Sequence, residues 1–212
     1  MKQKLEPMAQ FFNTRAETYD EVHLSHTGGR ASKDVVAGLL PENARRILDL
    51  GVGTGLELEA VYARFPDIQV TGIDMAEDML QKLLERFPGK DIEVIRGSYL
   101  GYDFGAARYD AVITVMSLHH LAPEQKAALF RRVLESLAPG GVFLNCDYYA
   151  KSRGYELRRR GLLWLTRKPP GSVHFDIPLT ARHELDIMRS SGFSCAKSAW
   201  RRGNTWVLEA RS

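Results

Sequence analysis

Ile47-Leu48-Asp49-Leu50-Gly51-Val52-Gly53-Thr54-Gly55 is an apolar run that meets an acidic residue and then breaks into alternating glycines. The run reads as a buried strand, the glycines as a tight turn, and the residues beyond as a helix. Such a turn needs backbone angles that glycine adopts cheaply, and the missing side chains let the main chain touch a ligand. Dinucleotide-binding folds meet the same needs with G-x-G-x-x-G. Here the sixth position is Leu56, and Asp49 stands at the strand tip. A diphosphate docked there would want donors and positive potential, not a carboxylate. The same carboxylate attracts an ammonium or sulfonium group. A second acidic residue, Asp74, closes the next strand after Val70-Thr71-Gly72-Ile73. One carboxylate accepting two hydrogen bonds matches the two hydroxyls of a ribose. The pair predicts a nucleoside ligand without phosphate.

Four further segments follow in order: Gly72-Ile73-Asp74, Tyr109-Asp110-Ala111-Val112, Ser117-Leu118-His119-His120-Leu121 and Leu137-Ala138-Pro139-Gly140-Gly141. With Asp49-Leu50-Gly51-Val52-Gly53-Thr54-Gly55 they make the chain resemble the class I S-adenosylmethionine-dependent methyltransferases, in their small-molecule branch. The resemblance runs from Phe12 to about Ala150 and more loosely to the C-terminus. It implies a Rossmann-like, doubly wound α/β fold with seven strands, the last antiparallel, and S-adenosylmethionine as cofactor. It implies direct displacement of the methyl group onto O, N or C of a small acceptor. A tRNA-modifying relative and a non-catalytic S-adenosylmethionine-binding protein are the alternatives.

The hydrophobic pattern agrees with that architecture. Strands are expected at 46–50, 69–73, 92–95, 110–115 and 141–147, with helices at 55–65, 76–87 and 124–137. Strands alternating with helices make a parallel sheet covered on both faces. Right-handed crossovers then bring the strand C-terminal ends to one ligand-binding edge. Helices at 8–19 and 33–40 precede this core; a helix at 181–191 and strands at 193–200 and 205–210 follow it. The chain divides into an N-terminal helical cap (1–44), a cofactor-binding core (45–150), an inserted segment (151–176) and a C-terminal helix with hairpin (177–212). In the family, insertions at this place form a lid over the acceptor pocket. Lys151, Arg153, Arg158, Arg159, Arg160, Arg167 and Lys168 face only Glu156 in opposition there. This basic cluster reads as a solvated amphipathic helix, a lid for an anionic small molecule, or a phosphate track for RNA.

Composition is that of a globular protein, 44% hydrophobic and 26% charged, and a net charge of +3 is too small to imply nucleic acid. No run is long enough to span a bilayer and no secretory signal opens the chain, so the expected compartment is cytoplasmic. Cys146 and Cys195 fit no redox or metal spacing and are expected as inert thiols. His23 and His26 have no Cys or carboxylate cluster to complete a metal site and are read as solvated, so no metal is expected.

The resemblance assigns the remaining candidates. Gly51, Gly53 and Gly55 approach the methionine portion of the cofactor, Asp49 its cationic groups, and Asp74 its ribose. Met75 lies against the adenine, where a thioether suits an aromatic face. Ser98 replaces the acidic residue usual for the adenine amino group, and Tyr99 covers the ring edge. Tyr19, in Ala16-Glu17-Thr18-Tyr19-Asp20, folds over the cofactor. Met116 passes beside the methyl donor. His119 and His120 are the candidates for a general base, and Tyr148 and His174 for contact with an acceptor.

Overall fold

The computed structural model describes residues 5–25 and 29–212. Seven strands form one sheet: β1 (Arg46–Leu50), β2 (Gln69–Asp74), β3 (Ile92–Arg96), β4 (Tyr109–Val115), β5 (Leu137–Tyr148), β6 (Cys195–Arg202) and β7 (Thr205–Arg211). The order is β3-β2-β1-β4-β5-β7-β6. The pairings from β3 to β5 are parallel, and β7 runs antiparallel to both β5 and β6. The order reverses between β1 and β4, which opens a crevice at the strand C-terminal ends, where open α/β sheets bind ligands.

Alternation along β1 explains why the sheet has two buried faces. Leu48 and Leu50 pack with Phe130 and Val133 of α6 (Pro123–Ser136) and with Ile187 and Met188 of α8 (Ala181–Ser190). Ile47 points the other way, onto Val36 of α3 (Gly29–Leu39), Val61 of α4 (Leu58–Arg64) and Leu83 of α5 (Glu77–Arg86). A side chain buried this fully contributes about 1.5–3 kcal/mol. Both layers together hold the strand tips rigidly enough to aim side chains into the crevice.

The N-terminal cap departs from expectation. The helix predicted over 8–19 stops after six residues, as α1 (Met8–Asn13), and resumes as α2 (Tyr19–Ser25). Thr14 ends α1: its hydroxyl donates back to the carbonyls of Gln10 and Phe11, the local competition that disfavours threonine inside helices. The break lets Phe12, Ala16 and Tyr19 settle on Ala76 and Met79 at the start of α5. The helix predicted from 33 begins at Gly29. Strand β5 starts at Leu137, earlier than predicted, and its register against β4 shifts between Tyr109 and Ala111.

Within the inserted segment, α7 (Arg153–Leu165) buries Glu156 and Leu163 but leaves Tyr155, Leu157, Leu162, Trp164 and Leu165 exposed. The loop after it, not the helix, returns across the sheet edge. Gly171, His174 and Asp176 reach the cavities there, anchored by an Ile177 N–H to the His119 carbonyl at 2.9 Å. No helix among the described residues is long and apolar enough to cross a membrane.

Candidate active site

Two cavities meet at the crevice. The smaller is lined by Gly51, Gly53, Asp74, Met75, Ser98, Tyr99, Met116 and Ser117. The larger, about 1940 Å³ and partly open to solvent, is lined by Arg15, Lys33, His119, His120, Tyr148, Lys151, His174 and Asp176. Phe12, Tyr19, Met116 and His120 line both and form the shared wall. Nine of the ten residues assigned to the cofactor can be placed against the smaller cavity or its glycine turn; Asp49 lies beneath the turn, fully buried.

The turn itself is held left-handed, with φ of +80° at Gly51 and +52° at Gly53. A Cβ at Gly51 would collide with the Ser117 side chain, whereas one at Gly53 would meet nothing closer than 4.0 Å. The first glycine therefore permits close packing of two strand tips, and the second leaves bare backbone beside the cavity. Gly53 N donates to Asp74 Oδ2 at 3.0 Å and Ala76 N to Asp74 Oδ1 at 2.8 Å. Asp74 thus steadies both the turn and the start of α5. Each carboxylate oxygen retains a lone pair, since an ionised carboxylate accepts about four bonds. Gly55, with φ +71°, packs on Leu83 and Phe87 rather than lining the cavity.

Neither oxygen of Asp49 has a hydrogen-bond partner, although both are buried. Burial, and then the adjacent Glu57 carboxyl, push Asp49 well above the usual carboxylate range. Burial also raises Glu57, with Lys33 opposing. This is a buried acidic pair under the turn, opposed by Lys33 and Arg86 from the Glu57 side alone, and a cationic ligand beside Asp49 would relieve it. No lysine or arginine lines the smaller cavity among the described residues. A cationic nucleoside fits this chemistry; a diphosphate does not. Asp49, Asp74, Met75 and Tyr99 would hold such a cofactor.

Tyr99 donates to or accepts from Ser117 Oγ at 3.1 Å, closing that end of the smaller cavity. Ser98 Oγ accepts from Leu100 N at 3.3 Å, a local turn bond. Met116 adopts φ +53° without being glycine, a conformation that costs about 1–3 kcal/mol and is tolerated where the surroundings over-determine it. It places the side chain between the cavities.

On the other side of the wall, His119 Nδ1 lies 2.7 Å from Asp147 Oδ1, and His119 N donates to Asp147 Oδ2 at 2.9 Å. Burial by itself would depress this imidazole, but the Asp147 carboxylate outweighs it and the pKa stands above its ordinary value. His120 moves oppositely: burial and then the neighbouring His119 and His174 hold it well below its ordinary value. Tyr148 packs against His119 with ring centroids 4.6 Å apart, and burial followed by Asp176 raises its phenol. His174 stacks on Phe11 with centroids 3.4 Å apart.

Sequence reasoning missed Glu57 and Lys33, which carry no motif signal; Asp147 and Asp176 fall in segments that read either as acceptor contacts at the ligand edge or as caps and turns. Asp147 follows a buried strand run, and that strand-tip position was the one signal pointing to it. His23 differs from the solvated reading: it stacks on Tyr19 at 4.4 Å and lines the larger cavity. His26 lies outside the described residues. Cys146 is buried, with burial pushing its thiol up to about 12; Cys195 is exposed.

Comparison with known proteins agrees with this geometry. A methyltransferase-domain family model matches residues 47–141. A carboxy-S-adenosyl-L-methionine synthase from Desulfotalea psychrophila is 30% identical over 196 residues, covering 80% of this chain and 76% of that protein. A trans-aconitate 2-methyltransferase from Rhodopseudomonas palustris is 30% identical over 113 residues, 53% of this chain and 42% of that protein. The chain spans about half the length, or less, of such curated relatives. Among solved structures, an O-methyltransferase family protein from Burkholderia thailandensis superposes with a TM-score of 0.73 at 18% identity, covering 97% of this chain and 64% of that one. Streptomyces venezuelae DesVI gives 0.69 at 18% identity, covering 93% and 98%. Motifs, topology and relatives together show that the chain belongs to the class I S-adenosylmethionine-dependent methyltransferase family.

Proposed function

We propose that this protein moves a methyl group from S-adenosylmethionine to O, N or C of a small acceptor by direct displacement. The observation that carries the reading is the shared wall. A donor chamber and an acceptor chamber meet at Tyr19, Met116 and His120, the arrangement an in-line transfer requires. Holding donor and acceptor in line supplies about 7 kcal/mol or more of the barrier lowering in favourable cases. Asp74 takes the ribose, Asp49 and the glycine turn the methionine end, and Met75, Ser98 and Tyr99 the adenine. His119 and His120 activate the acceptor; Asp147 fixes the imidazole of His119, so its Nε2 is the nitrogen left for that work.

A binder without catalysis would fill the space between Tyr19, His119 and Tyr148. All three instead line an open cavity, which supports an enzyme. Arg15, Lys33 and Lys151 around that cavity, with Asp176 as its one acidic residue among those described, favour an anionic acceptor. The basic residues of α7 are largely engaged nearby: Arg153 with Glu156 at 2.5 Å, Arg159 with the Asp176 carbonyl at 2.7 Å, and Arg160 within 3.7 Å of Glu124. That engagement favours a small molecule over tRNA.

The test is calorimetric titration followed by transfer of a labelled methyl group into a metabolite extract. Tight S-adenosylmethionine binding and one dominant labelled product are expected. Binding of NAD(H) with none of S-adenosylmethionine would overturn the reading, and salt-dependent RNA binding abolished by changing Arg158, Arg159 and Arg160 to Ser would move it to tRNA.

A further inference from the structure

Asp176 Oδ1 is surrounded by imidazole nitrogens. His120 Nδ1 lies 3.4 Å away, His119 Nε2 3.8 Å and His174 Nε2 3.9 Å. That oxygen is buried without a hydrogen-bond partner, as is Nε2 of His120, a residue only 4% exposed. Ligand atoms of His119, His120 and Asp176 all fall within 4.8 Å of one another. The spacings exceed the roughly 2.7–3.2 Å of a good N–H···O bond. They approach the ~3.3 Å that separates donor atoms bound about 2.0–2.1 Å from one tetrahedral ion.

The electronics point the same way. Asp147 accepts from His119 Nδ1 at 2.7 Å, which leaves a lone pair on Nε2. In the neutral ring that lone pair faces a carboxylate oxygen, a repulsion that a metal ion between them, or a proton on Nε2, relieves. A carboxylate behind a histidine is also the usual outer support of a metal-binding imidazole. Nitrogen donors with one carboxylate suit borderline first-row ions and not magnesium or calcium.

We propose that His119, His120 and Asp176 bind one divalent transition-metal ion of the zinc type in the wall of the larger cavity, with Asp147 orienting His119 and His174 beside the site. The activation assigned to His119 and His120 then works through the ion, which would take an oxygen of the acceptor as an added ligand. That last consequence rests on the methyl-transfer reading; the metal site does not.

The experiment uses tag-free protein stripped with a chelator and dialysed against Co²⁺, with metal analysis and visible spectra. One Co²⁺ per chain is expected, with d–d bands that Zn²⁺ displaces and Mg²⁺ does not. The bands disappear in His120→Gln and in Asp176→Asn. Asp147→Asn weakens uptake by roughly 10–100-fold. Circular dichroism and S-adenosylmethionine calorimetry accompany every variant. Folded parent protein that takes up neither Co²⁺ nor Zn²⁺ would overturn the site and leave a proton on His119 as the bridging cation. Uptake undiminished in a His120→Gln/Asp176→Asn double variant would overturn it equally. Metal uptake is read without any cofactor, so failure of the methyltransferase reading shows separately, as absent S-adenosylmethionine binding.

Discussion

Thr54 Oγ1 donates a 2.6 Å hydrogen bond to Asp20 Oδ1, and Arg86 pairs with the other oxygen of the same carboxylate. One side chain of α2 is therefore gripped by the glycine turn and by the last turn of α5. The grip holds Tyr19, one residue earlier, over both cavities. The cap is latched to the parts of the core that would touch a cofactor, so losing this contact should weaken cofactor binding.

Breaking the latch tests that dependence. Asp20→Ala should weaken S-adenosylmethionine binding about tenfold, or ~1.4 kcal/mol, while the sheet melts almost as before. Calorimetry and thermal melts measure the two effects. Equal cofactor affinity in the variant would show that the cap closes without this contact.

Asp74→Ala removes the proposed ribose acceptor. A loss of roughly 1.5–3 kcal/mol in cofactor binding is expected, the range for hydrogen bonds to a charged group. Asp74 also holds Gly53 N and Ala76 N, so the cofactor-free protein should lose stability too. Undiminished affinity would remove the ribose role.

Asp49→Asn should make the cofactor-free protein more stable at neutral pH and less able to bind cofactor. Burial and Glu57 raise the Asp49 pKa, so the folded state holds this proton more tightly than the unfolded chain. The stabilisation from the bound proton is complete below the ordinary carboxylate pKa, about 4. It is lost as pH rises through the elevated folded value. The variant's advantage should therefore grow with rising pH and vanish in acid. Melting curves for both proteins across that range provide the comparison; parallel curves would contradict the assignment.

Lys126 Nζ meets Glu184 Oε2 at 2.5 Å, both side chains essentially buried, and ties α6 to α8. Asn145 Nδ2 donates to the other Glu184 oxygen at 3.0 Å. Lys126→Met should cost about 3–5 kcal/mol in denaturant unfolding, because it strands a buried carboxylate. Adding Glu184→Gln should recover part of the loss. A single variant as stable as the parent would show that the pair is not desolvated.

The doubly wound core, the turn at Gly51 to Gly55 and the acids at positions 49 and 74 were legible from local pattern alone. Strand alternation, glycine spacing and strand-tip acids are written over a few neighbouring residues, and each has one inexpensive backbone solution. The break in the cap after Asn13 was not legible, since Phe11, Phe12 and Ala16 do keep a helical period and only Thr14 and the surface of α5 override it. Nor was Glu57, whose significance comes from burial beside Asp49. The amino-acid order by itself determined a sheet with a bare-backbone tip that carries carboxyl groups. Only tertiary structure decided that residues as distant as His119, Asp147, His174 and Asp176 would share one wall, because their contacts depend on where β5 and the loop after α7 come to rest.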